Sequence, residues 1–121
     1  MKKLLLLLFT VIILGLMFLL IKSTKSSPEN LSSIKNFTLI IKNKKLVSGP
    51  ETLKTTQGDT VVIAITNDTD EELHLHGYDK SVELEKDKPT ELTIVAKISG
   101  RFIYELERSK TDIGALEVQP K

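Results

Sequence analysis

The chain has 121 residues, 40% of them hydrophobic, which is enough for one compact domain and not for two. Its 17 Lys and Arg against 16 Asp and Glu give a net charge of +1, and without Lys2 and Lys3 of the N-terminal segment the remainder carries −1. That balance, with only 5% aromatic residues and no cysteine, excludes a basic, stacking surface for nucleic acid, any disulfide, a thiolate ligand and a lipid-modified cysteine anchor.

From Leu4 to Ile21 no residue is charged, and Leu, Ile, Val, Phe and Met fill nearly every position. As a helix rising about 1.5 Å per residue the run reaches roughly 27 Å, close to the hydrocarbon thickness of a bilayer. The basic pair Lys2 and Lys3 in front of it is the arrangement of an exported signal sequence or signal anchor. The run is longer than an ordinary signal-peptide core and passes into "IKSTKSSPEN" with no small-x-small cleavage site. Residues 1–21 are therefore expected to be an uncleaved transmembrane anchor with the domain on the extracytoplasmic side, or a secreted domain if the segment is cut. Residues 22–33, Ser-rich with Pro28, read as a polar linker.

Residues 34–121 carry short apolar or alternating runs, with turn signals at intervals of about 8–12 residues. "NFTLIIK" and "KLVSGP" flank the turn "KNKK", and Gly58-Asp59 precedes "TVVIAITN", the strongest strand pattern. The turn "NDTD" leads to "ELHLHGY", then "SVELEK", "TELTIVAK", "RFIYELE" and finally "GALEV". Seven to eight strands and no amphipathic helix predict an all-β sandwich of Greek-key type. Sequons at Asn30, Asn36 and Asn67 bear on this chain only if its source glycosylates exported proteins.

"EELHLHGYDK" holds both histidines. In a strand, residues two apart share a face, so His74 and His76 point one way and Leu73 and Leu75 the other. Neutral imidazole is the commonest ligand of zinc and copper. The plainer reading is a pair of histidines on the solvated face of an edge strand. A metal needs three or four ligands, and with no third His and no Cys only carboxylates remain: Glu105, Glu107, Asp112 or the acidic run Asp70, Glu71, Glu72 and Asp79. Tyr78 and Asp79 are candidates for an outer shell supporting the ligands. No nucleophile elbow and no phosphate-cradling glycine loop appears, so the chain does not read as an enzyme.

The order of these pieces resembles the cupredoxin-like family, in particular its small exported bacterial members. The resemblance rests on "FTLIIKNKKLVSGPETLKTTQGDTVVIAITNDTDEELHLHGYD" and "GRFIYELERSKTDIGALEV", which together cover Phe37 to Val118. A blue-copper member closes its centre with Cys-x-x-His-x-x-Met between the last two strands. That pattern falls here on Leu106, Ser109 and Asp112, so the resemblance excludes a blue or dinuclear copper centre. It keeps His74 or His76 as the surviving ligand and, through relatives with a third His, places Glu107 beside them. Period two sets Glu105 and Glu107 opposite Phe102, Tyr104 and Leu106, so Glu107 cannot meet ligands that converge on the sandwich interior unless a bulge or the loop re-aims it.

The expectation from sequence is a membrane-anchored, extracytoplasmic cupredoxin-like sandwich holding copper, or zinc as the alternative, at a non-blue site of His74, His76 and Glu107. Its partners would be the membrane and another membrane or exported protein. The competing expectation is a metal-free structural or interaction module of the same fold.

Overall fold

The computed structural model describes residues 1–21 and 31–121, with side chains of the N-terminal helix described as far as Met17. The linker expected over 22–33 thus lies, for residues 22–30, outside the described residues. The chain divides into two compact units, Met1–Leu31 and Ser32–Lys121.

The first unit holds one helix, α1 (Lys2–Ile21), formed by the uninterrupted Leu-rich run. Its side chains are exposed all round, from Leu4 at 69% to Met17 at 61%. Among the described residues no helix is long and apolar enough to cross a membrane.

The second unit is a β-sandwich of nine strands, β1 (Ile34–Lys42), β2 (Lys45–Ser48), β3 (Thr52–Thr56), β4 (Thr60–Asn67), β5 (Glu71–Leu75), β6 (Lys80–Leu84), β7 (Thr90–Val95), β8 (Gly100–Leu106) and β9 (Thr111–Gln119). One sheet has the order β2-β1-β4-β7 and the other β3-β9-β8-β5-β6. Both are mixed, because β1 runs parallel to β4 and β3 parallel to β9. The strand absent from the sequence reading is β3, "TLKTT", whose three threonines and a lysine hide a strand that buries Leu53 and Thr55.

The alternating runs set the core. Val61, Ile63 and Ile65 of β4, Leu39 and Ile41 of β1, Leu73 and Leu75 of β5, and Tyr104 and Leu106 of β8 all face inward, none more than 1% exposed. Burying each such side chain is worth about 1.5–3 kcal/mol. Tyr104 carries its hydroxyl into this interior and donates to the Glu51 carbonyl at 3.1 Å. Burial, with the Glu51 carboxylate nearby, pushes the phenol up to about 12. Gly114 makes room for that ring, since a Cβ there would lie 2.3 Å from the Tyr104 hydroxyl.

Two tethers close the ends of the sandwich. Asp59, 5% exposed, gathers four donors on its carboxylate: Ser33 N and Oγ at 2.9 Å each on Oδ1, and Thr55 Oγ1 and Thr56 N at 3.0 Å each on Oδ2. The Tyr78 hydroxyl donates to the Ile98 carbonyl at 2.7 Å and accepts from Ile98 N at 3.0 Å, pinning the β5–β6 turn to the β7–β8 loop. Its ring meets Phe102 edge-on at 4.8 Å. Phe102 in turn covers Gly77, which takes a left-handed φ of 80° that a side chain would make costly. Asn67 is 1% exposed and binds Thr69 through its side-chain amide, so its sequon offers no accessible acceptor.

Candidate metal centre

Strand β5 pairs antiparallel with β8 in a register that sets His74 directly opposite Glu105, Leu73 opposite Leu106 and Leu75 opposite Tyr104. The leucines and Tyr104 fill the interior, so alternation turns His74 and Glu105 to the outer face of the five-stranded sheet. His76, one residue past β5, keeps the phase because its N–H donates to the Ile103 carbonyl at 2.9 Å. Glu107, one residue past β8, keeps it through its own N–H on the Glu72 carbonyl at 2.8 Å.

Both histidines and both glutamates therefore share one surface. His76 Nε2 lies 2.7 Å from Glu105 Oε1, and His74 Nδ1 lies 3.3 Å from Glu107 Oε2. The two imidazoles are 4.4 Å apart between ring centres and tilted by 43°. One ligand atom from each of His74, His76, Glu105 and Glu107 falls within 4.8 Å of all the others. His74 and Glu105 are the more sheltered pair, 24% and 14% exposed, while His76 is 47% exposed.

Negative charge dominates this surface. The Lys110 ammonium, more than the contact with His74, holds the Glu107 carboxyl down at about 2, against the opposing pull of partial burial. Glu107 is thus a carboxylate at any pH at which imidazole can ligate. Asp79 Oδ1 approaches His74 Nε2 at 3.8 Å from a fully exposed side chain, within reach as an outer partner. Tyr78 takes no such part, since its hydroxyl is occupied by Ile98.

The expectation of ligands converging on the sandwich interior is corrected by this register. The histidines face outward, so Glu107 needs no bulge to reach them, and the parity that seemed to exclude it brings it in. Glu105 joins as a fourth donor, weighed in the sequence only as one carboxylate among several. Its strand phase was legible, and its pairing with His74 was not. Of the three positions aligned with blue-copper ligands, Leu106 is buried in the core, the Ser109 hydroxyl is buried without a partner among the described residues, and Asp112 is exposed opposite Glu105 across the β8–β9 ladder. They assemble no donor set.

Four donors within 4.8 Å fit a small divalent ion after modest side-chain movement. At metal–ligand distances of about 2.1 Å, tetrahedral ligand atoms stand about 3.4 Å apart and trans ligands of a tetragonal site about 4.2 Å. Two imidazoles and two carboxylates form an N,O set of the kind that suits copper(II), nickel(II) or zinc, without the thiolate a blue centre requires.

No protein-family model and no curated protein matches the chain. Solved structures do. A copper binding protein, determined in solution in its apo form, superimposes with a TM-score of 0.60 at 9% identity, covering 75% of this chain and 93% of that one. The copper nitrite reductase of Nitrosomonas europaea gives 0.52 at 18% identity over 74% of this chain, which spans 41% of the reductase. A chain of a heme-copper terminal oxidase dimer gives 0.55 at 15% identity, covering 98% of this chain and 99% of that one. At these identities the likeness is one of fold, and the fold is the one these proteins share: Ser32–Lys121 is a cupredoxin-like domain.

Proposed function

We propose that this domain binds one divalent metal ion, copper(II) foremost, on the outer face of its five-stranded sheet through His74, His76, Glu105 and Glu107. The observation that carries the reading is the meeting of four donor atoms within 4.8 Å on two adjacent strands. The role we assign is that of a metal-binding or metal-handling module and not of an enzyme, because the donors lie on the partly solvent-exposed outer face of the sheet. One structural neighbour is a copper binding protein, which supports the choice of metal.

The test is equilibrium dialysis of the full chain in detergent against copper(II) and zinc(II). The expected result is one ion per chain, and a stoichiometry well below one for both metals overturns the reading.

The N-terminal segment is part of the same proposal. The described part of the helix is by itself not long and apolar enough to cross a membrane, but in the sequence Lys2, Lys3 and the charge-free run from Leu4 to Ile21 support an anchor that leaves Ser32–Lys121 outside the cytoplasm, near a membrane or exported partner. Extraction of native membranes at high pH is expected to leave the chain in the pellet. Its release into the supernatant would show that it is cut or only peripherally attached.

One observation favours a second reading. The match to a chain of a heme-copper terminal oxidase dimer extends over 98% of this chain and 99% of that one. This supports a structural subunit of a larger assembly in which the His–Glu pairs serve as surface ion pairs. Absence of metal uptake, together with migration in a complex larger than the chain itself on mild solubilisation, would decide for it.

A further inference from the structure

The turn 107–110 between β8 and β9 is held by two backbone contacts of different origin. Glu107 N donates to the Glu72 carbonyl at 2.8 Å, and Arg108 N donates at 3.1 Å to the carboxylate of Glu71, itself 5% exposed. The Arg108 side chain leaves the cluster and pairs with Glu83 of β6. Lys110 ends the turn with a left-handed φ of 52°, and its ammonium returns onto Glu107 Oε1. Glu107 thus carries a cation on one oxygen and faces His74 with the other. Glu105 and Glu72 add to the negative field around the ammonium.

We propose that Lys110 is an internal competitor for the metal: its ammonium holds the carboxylate that a divalent ion would take, and so sets the affinity of the site. The inference rests on the metal-binding reading above. A divalent ion that uses Glu107 must displace the ammonium or share the carboxylate with it at close range, and like charges in one site oppose each other. The site is thereby tuned toward exchange and away from permanent retention. Lys44 also has a left-handed backbone, φ 60°, so this conformation alone marks nothing. The placement of the ammonium on a ligand oxygen is what distinguishes Lys110.

The experiment is titration of the full chain in detergent with copper(II) and with zinc(II), comparing wild type with Lys110→Met and Lys110→Gly. The Met variant removes the charge and keeps the length, and the Gly variant also suits the left-handed backbone, so a folding defect in one does not obscure the other. Both are expected to bind about three- to tenfold more tightly than wild type. Lys54→Met, which removes the same charge from the edge strand β3, should change affinity less. Affinities of both variants equal to or weaker than wild type overturn the proposal and leave the metal site standing. Failure of wild type and both variants to take up either metal overturns the site and the proposal together.

Discussion

Replacing His74 and His76 together by Ala is expected to lower copper(II) affinity at least about 100-fold, since altering groups that merely support a ligand already costs 10–100-fold. The two imidazoles are the only nitrogen donors in the cluster, and carboxylates alone suit copper(II) or zinc poorly. The fold should survive. Both rings lie on the outer face, and their pairs with Glu105 and Glu107 are partly solvent-exposed and contribute little to stability. The thermal midpoint should move by no more than about 3 °C. Glu105→Gln keeps shape and hydrogen bonding while removing a ligand charge, and an intermediate loss of about tenfold is expected. Calorimetric titration with melting curves on the same samples checks all three proteins. Wild-type affinity in the double variant would show that metal, if bound, is held elsewhere.

The largest effect on stability is expected at Asp59. Its carboxylate collects two backbone and two hydroxyl donors from Ser33, Thr55 and Thr56, and its own backbone completes the junction through Ala96 N on Asp59 O at 2.8 Å. Asp59→Ala strands those donors in a site that is 5% exposed. Asp59→Asn does little better, because each oxygen accepts from two donors and an amide group would face one of those pairs with its own N–H. Hydrogen bonds to a charged group are worth about 1.5–3 kcal/mol each when lost, and partial relaxation limits the sum to about 3 kcal/mol. For a domain of this size that lowers the melting temperature by more than about 10 °C.

The same residue makes stability depend on acid. The N–H groups of Ser33 and Thr56, more than the two hydroxyls, hold the Asp59 carboxyl far below the ordinary carboxylate range, outweighing the cost of its burial. A carboxyl depressed in the folded state contributes fully above its unfolded value of about 3.9, and the contribution is lost as pH falls through the folded value. The stability gap between wild type and Asp59→Asn should therefore be constant from neutral pH down to about 5 and shrink progressively below about 4. Urea denaturation of both proteins at a series of pH values measures it. A gap that stays constant down to pH 2 would refute the assignment.

Much of this arrangement was legible in the residues. "TVVIAITN" could only be a half-buried strand, and the period of two in "ELHLHGY" put His74 and His76 on one face whatever the fold. The same rule set Glu105 and Glu107 together, opposite Tyr104 and Leu106. The absence of cysteine removed blue-copper chemistry without any coordinates. Local alternation, however, states which residues share a face and not which face meets the core, nor which strand lies beside which. Those are products of non-local pairing. β3 went unread because "TLKTT" alternates threonine with only one large apolar residue and becomes a strand through its parallel partner β9. The Asp59 junction joins residues 26 positions apart through hydrogen bonds that leave no periodic trace. The candidate centre shows the division most plainly. Sequence determined two pairs of donors, each on one face of its own strand. Only the β5–β8 register, with Leu73, Leu75, Tyr104 and Leu106 drawn to the interior, decided that both pairs emerge on the same outer surface, because burying the four large side chains leaves the histidines and glutamates no other face to occupy.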